Sequence, residues 1–240
     1  MSEKRVVICG AGIIGCATAY YLVKLGCKAV TVVERNEVAG HSSGKAGGFL
    51  ALDWCDRNPL KGLARKSFDL HKQLENDLEA DVGYRPMKTL SVSTGAASKT
   101  GGLPAWIDGK VEDVDVIGTR ASTAQCHPKL LTRALLDSAV KGGAKYVEGK
   151  VTDVSFAGGG KTVAGVRVDD NVIPGDVVVV AMGPWSGQAR EWLPKAGIPR
   201  ISGGRAHSIV LDTAGRDITA HALFASVEGR DCEVRKGSSL

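Results

Sequence analysis

Six residues near the start of the chain, Gly10-Ala11-Gly12-Ile13-Ile14-Gly15, constrain the fold more than any others because of what flanks them. Residues 5–9 (RVVIC) form a short apolar, β-branched run, as in a strand buried on both faces. Residues 13–25 then read as a helix, with Ile14, Ala17, Tyr21 and Leu25 expected on its inward stripe and Gly26 as its stop. Residues 29–33 (AVTVV) are a second buried strand that ends at Glu34. Strand, tight turn, helix and strand make a parallel pair joined by a crossover. Each glycine of the G-x-G-x-x-G turn has its own reason. Gly10 permits the turn, Gly12 lets a pyrophosphate approach the backbone, and Gly15 lets helix and strand pack closely. Phosphates are held at such a helix N-terminus by free N–H groups and the helix dipole. Glu34 follows at about the 20-residue separation expected of a ribose-binding acid, and its carboxylate disfavours a 2′-phosphate.

Further along, residues 40–48 (GHSSGKAGG) form a loop of mostly small residues. Asn58-Pro59 is expected to open a helix running towards Ala80, with Leu63, Leu70, Leu74 and Leu78 facing inward. Residues 128–141 form another amphipathic helix, stopped by Gly142-Gly143. The period then changes. Residues 151–156, 163–168 and a short stretch near Val172 read as an antiparallel meander, with turns at 158–160 and 169–171. Residues 176–181 (DVVVVA) return to the buried parallel type, and from Val227 the chain reads as a polar tail.

A net charge of +5 spread along the chain, without a basic stripe, argues against nucleic acid as a partner. No apolar run is long enough to cross a bilayer, so no membrane insertion is expected. Residues 1–5 are too short and polar for a leader, and six cysteines without a C-x-x-C pair fit reduced thiols; the expectation is a cytoplasmic protein. Nothing in the sequence sets the oligomeric state.

Two later segments carry a resemblance. The loop 40–48 is similar to the loop after the ribose-binding acid in the D-amino-acid oxidase superfamily, where it runs along the pyrophosphate towards the flavin. Residues 177–186, ending Ala181-Met182-Gly183-Pro184-Trp185-Ser186, resemble that superfamily's return strand and its Ala-x-Gly-x-Trp-Ser turn. Lys150-Val151-Thr152 resembles the place where a backbone peptide meets the adenine. The resemblance implies FAD as cofactor and an α/β fold: a Rossmann-like FAD-binding domain of parallel sheet plus antiparallel meander, interleaved with an incomplete α+β substrate domain. It implies FAD contacts at Gly10, Gly12, Ile13, Ile14, Gly15, Glu34, Arg35, Ser42, Ser43, Gly44, Gly47, Gly48, Val151, Gly183 and Trp185. The divisions expected are 1–85 and 141–200 for the FAD domain and 86–140 for a substrate-domain segment. Residues 201–226 would begin a substrate-domain strand, and 227–240 would be a tail. Superfamily members continue further, so the chain reads as truncated at its C-terminal side.

The activity implied is flavin-dependent oxidation of a C–N bond in an amine, amino acid or related small metabolite. Two other readings compete with it: a truncated, catalytically incompetent chain that only binds a dinucleotide or a partner, and an NAD-dependent dehydrogenase. The meander after Val151 speaks against the last. Candidates for catalysis are weak. Lys45 lies in the small-residue loop, and Arg205 lies in residues 202–211, which resemble the superfamily's strand crossing into the substrate domain and so imply a strand there; an Arg is of the type that binds a carboxylate bidentately. His41 is offset from the position of a covalent flavin anchor.

Overall fold

The computed structural model describes residues 3–94, 102–107, 111–227 and 230–235. In chain order it begins with β1 (Val6–Cys9), α1 (Ile13–Lys24), β2 (Val30–Glu34), β3 (Phe49–Ala51) and α2 (Lys61–Asp77). Next come β4 (Arg85–Pro86), β5 (Lys88–Ser93), β6 (Asp113–Gly118), β7 (Thr123–Gln125) and α3 (Pro128–Lys141). The strands β8 (Lys145–Glu148), β9 (Val151–Ala157), β10 (Thr162–Val168), β11 (Asn171–Pro174) and β12 (Val177–Val180) follow. A 3₁₀ helix (Gly183–Gln188), the short α4 (Ala189–Trp192), β13 (His221–Val227) and β14 (Arg230–Arg235) complete it.

The chain divides into two compact units, each built from two stretches. The first comprises Met1–Ala46 and Pro128–Ser208, the second Gly47–His127 and Ile209–Leu240. The divisions expected from sequence stood at 85, 140 and 200 instead.

The first unit is built on a parallel sheet of order β12-β1-β2-β8, with an antiparallel meander β11-β10-β9 against it. Alternation along β1 explains the layering. Val7 and Cys9 join Val33, Val151, Val166 and Val168 in a core on the meander side. Ile8, fully buried, points the other way, towards α1. Both faces of the parallel sheet are therefore covered, as its run of apolar residues requires. At the base of the sheet Arg5 closes β1 to β12. Its backbone N–H donates to Asp176 Oδ2 at 2.8 Å and its guanidinium donates to both carboxylate oxygens at 3.1 and 2.6 Å. These bonds, from Arg5's side chain first, hold the Asp176 carboxyl down at about 2.

The second unit holds a sheet of order β14-β13-β5-β6 and a smaller one of order β3-β7-β4. Leu90, Val92, Val111 and Leu223 form the core of the first of these sheets. A buried pair of hydroxyls is fully bonded: Thr89 donates to Thr123, and Thr123 to the Met87 carbonyl, each at 2.8 Å.

Several expectations need correction. The buried face of α1 is Gly15, Cys16, Ala19 and Tyr20, whereas Ile14 and Leu25 are 67% and 75% exposed. Small residues face inward because α1 packs closely on both the sheet and α3. In α2 the buried residues are Phe68 and Leu74, joined just past its end by Leu78, while Leu63 is 70% exposed. Asn58 does not cap α2 itself. Its side chain accepts from Leu60 N–H at 2.8 Å in the turn before the helix. Residues 201–213 form neither helix nor strand, so the strand expected over 202–211 is not there; it comes instead at β13. Nor is 227–240 merely a tail, since β14 pairs antiparallel with β13.

Two outcomes follow. Cys16→Leu, which overfills the close contact of α1, should lower stability by about 1–3 kcal/mol, and Ile14→Ala should change it by less than about 0.5 kcal/mol; urea unfolding measures both. The Arg5–Asp176 clasp has a depressed carboxyl, so its stabilisation is present above the ordinary value of 3.8 and is lost as pH falls through about 2. The difference in urea midpoint between the parent chain and Asp176→Asn should therefore hold steady above about pH 4 and shrink towards pH 2.

Candidate functional site

The carboxyl ends of β12, β1 and β2 open onto one pocket of about 280 Å³. The position follows from topology. The chain leaves β1 for β2 on one side and returns to β1's other side at β12, and such a switch point leaves a crevice at the strand ends. The floor is the glycine turn, where three backbone segments come within contact of one another. Gly10 has φ +108°, and a Cβ on it would stand 2.5 Å from the Ala181 carbonyl oxygen. A Cβ on Gly15 would stand 1.9 Å from the Gly10 carbonyl oxygen, so only glycine lets α1 lie against β1 here. Gly12 lines the pocket, and its missing Cβ leaves space 3.0 Å from Ser43 Oγ.

Two N–H groups of this turn have side-chain acceptors. Ala11 N–H donates to Glu34 Oε2 at 2.9 Å, and Ile13 N–H donates to Ser43 Oγ at 2.9 Å. Gly12, at the N-cap of α1, has no side chain to offer, so Ser43 supplies the cap from thirty residues away. Glu34 Oε1 also accepts from Asn36 N–H at 3.1 Å. Glu34 thus braces the turn, and a carboxylate has acceptor capacity beyond these two bonds. Glu37, on the rim, is tied to α3 by Lys129 at 2.8 Å and Arg133 at 2.7 Å. The hydrogen bond from Lys129, chiefly, holds its carboxyl below the usual range.

Three side chains from separate segments meet at the pocket wall. The Arg35 guanidinium lies 4.2 Å from the centroid of the Trp185 ring, a cation–π contact. The His41 ring lies 4.6 Å from the same indole at a tilt of 56°. His41 Nε2 is buried and has no hydrogen-bond partner among the described residues.

Of the residues expected at the cofactor, Gly10, Gly12, Ile13, Ile14, Glu34, Arg35, Ser42, Ser43, Val151, Gly183 and Trp185 all line this pocket. Gly15 lies beneath it in the α1–β1 contact. Gly44 folds back on Ala39, where a Cβ would meet the carbonyl oxygen at 2.0 Å. Gly47 and Gly48 are outside the lining; their carbonyls accept from Gln125 Nε2 and Cys126 N–H, each at 3.0 Å. Lys45 and Arg205 are exposed and do not line the pocket either. Gln188 also lines the pocket and carries no signal in the sequence, and so do His41, Lys150 and Met182, which lie in the segments of resemblance but are not among the contacts expected there. The buried thiols are not reactive groups: burial pushes Cys9 and Cys16 up to about 12. Among the described residues, no helix is long and apolar enough to cross a membrane.

Two glycine substitutions separate fold from site. Gly15→Ala should abolish cooperative unfolding in a circular-dichroism melt, because the clash is with backbone. Gly12→Ala should keep stability within about 1 kcal/mol of the parent while calorimetry shows adenine-dinucleotide affinity reduced at least about tenfold.

YurR, an uncharacterized oxidoreductase of Bacillus subtilis, is 33% identical over 217 residues, which take in 77% of this chain and 56% of YurR. The chain thus spans little more than half the length of that relative. Glycine oxidase from Geobacillus kaustophilus superposes with a TM-score of 0.70 at 17% identity, covering 100% of this chain and 74% of that one. Glycine oxidase from Bacillus cereus gives 0.63 at 23% identity, covering 80% and 58%. The two structures speak for the fold. With residues 5–236 matched to DAO, FAD dependent oxidoreductase, the chain belongs to that family of flavin-linked proteins.

Proposed function

We propose that the pocket at the ends of β12, β1 and β2 holds FAD and that the chain serves two-electron oxidation of a C–N bond in an amine or amino acid. The observation that carries this is the cradle itself: a glycine turn at the switch point, opened by the absent Cβ of Gly12 and walled by Glu34 and Ser43. Those residues fit an adenine dinucleotide. Gly12 and the N-terminus of α1 would receive the pyrophosphate. Glu34 would accept from the adenosine ribose hydroxyls, and the backbone at Val151 would meet the adenine. Arg35 and Trp185 would close the wall, with Gly183 admitting the turn beside them.

Bound FAD would supply the electron sink, and the chain's task is to bind and orient it. The substrate class is supported by two neighbours of similar fold, both glycine oxidases. Lys45 and Arg205, exposed and outside the lining, carry none of this reading.

Purified chain should release FAD on denaturation, or take it up stoichiometrically when FAD is added. Anaerobic mixing of the loaded protein with a panel of amino acids and amines should then bleach the flavin absorbance. Failure to bind FAD under any condition would sink the cofactor assignment. Binding without bleaching by any substrate would favour a chain that holds the dinucleotide without turning over.

A further inference from the structure

An exposed apolar run lies well away from the pocket lining. Residues 201–213 form neither helix nor strand and are exposed throughout. Within them Ile209, Val210 and Leu211 are 82%, 86% and 74% exposed. Three successive apolar side chains left this far in water differ from the single exposed leucines of an ordinary surface. Residues 200–213 contain no proline and no positive φ, so nothing bars them from strand backbone.

A sheet edge of matching character lies in the second unit. Among the described residues β6 pairs with β5 alone and ends its sheet. An edge strand turns a row of backbone N–H and C=O groups outward, a template for another strand. Here Asp113 and Asp115 are exposed, and Val116 and Ile117 are 56% and 36% exposed. The acids oppose pairing of one β6 edge with another, since like charges would meet; a strand carrying cations suits the edge instead. Both segments run from charge to apolar in chain order: Asp113-Val114-Asp115-Val116-Ile117 and Arg205-Ala206-His207-Ser208-Ile209. Laid parallel, Arg205 falls opposite Asp113, His207 opposite Asp115, and Ile209 opposite Ile117. Laid antiparallel with the charges matched, Ile209 to Leu211 would run past the start of β6, and its apolar end would meet Gly203 and Gly204. The Trp54 indole donates to the Ile117 carbonyl at 3.1 Å, which ends the open ladder near Val116.

We infer that residues 205–210 of one copy add as a parallel strand to β6 of a second copy. Main-chain bonds supply the attraction, and the charge pairs set partner and register. A reciprocated exchange closes a dimer, whereas an unreciprocated one opens into longer assemblies; the contact is the same in both.

Sedimentation equilibrium on the full chain, over a concentration series to about 100 µM, should show reversible self-association. It should weaken as salt rises, because the paired charges are exposed. Arg205→Glu with His207→Glu should raise the dissociation constant at least about tenfold, and so should Asp113→Lys with Asp115→Lys. All four changes together should restore it, the same pairs then being matched with signs exchanged. Ser208→Pro, which removes a ladder donor and no charge, should also weaken association. Circular dichroism of each variant separates loss of contact from loss of fold. A chain that stays monomeric throughout the series overturns the inference. Association that both charge reversals leave unchanged overturns it as well, because another surface is then responsible.

Discussion

Three backbone segments meet within contact distance where β1 ends, and the first unit is arranged around that meeting. Gly15 lies against the carbonyl of Gly10, and Gly10 against the carbonyl of Ala181. A single Cβ at either place would force the segments apart. With both absent, α1 packs on the sheet and aims its N-terminus across the ends of three strands. Glu34 and Ser43 then reach the turn's N–H groups from β2 and from the following loop. The pocket is thus a consequence of close packing: the same glycines that let the core form also leave backbone open to a ligand.

Much of the first unit was legible in the sequence because its signals are local. The turn, the two strands beside it, α3 and the meander each carry their own period or punctuation, and α3 runs over the residues expected. Where reading failed, neighbours decided. Helical spacing puts Ile14, Ala17, Tyr21 and Leu25 on one stripe of α1, whereas proximity to the sheet and α3 selects Gly15, Cys16 and Ala19. Residues 202–211 resemble a strand of the superfamily, yet resemblance says nothing about whether an edge is there to pair with. The polar stretch after Val227 shows the converse. Its six-residue strand β14 exists because β13 offers a partner, and neither its polarity nor its charge announces it.

The site divides in the same way. The glycines and Glu34 stand out because their spacing is itself the chemistry, and they line or underlie the pocket as that spacing implies. The wall built by Arg35, His41 and Trp185 draws on residues up to 150 positions apart, and no pattern along the chain links them. His41 had been weighed only as a covalent anchor, which its offset excluded. Its environment, a ring contact with the Trp185 indole and a buried Nε2, is a property of packing. The family assignment narrows the cofactor, whereas the ring contacts are legible only in the structure.

The clasp between Arg5 and Asp176 joins residues 171 positions apart, and it marks the closing of the parallel sheet. The strand on one side of β1 is next in sequence, but the strand on its other side is among the last of its unit to be synthesised. At about 5–20 residues per second, roughly 10–30 s separate the emergence of β1 from that of β12. During that interval one edge of β1 stays unpaired while all 81 residues of Gly47–His127 pass into a different unit. Long-range parallel pairing is slow in any case. The order of synthesis therefore makes the nucleotide cradle a late product: until the valines of β12 arrive, Gly10 has no Ala181 to lie against, and the pocket has a floor on one side only.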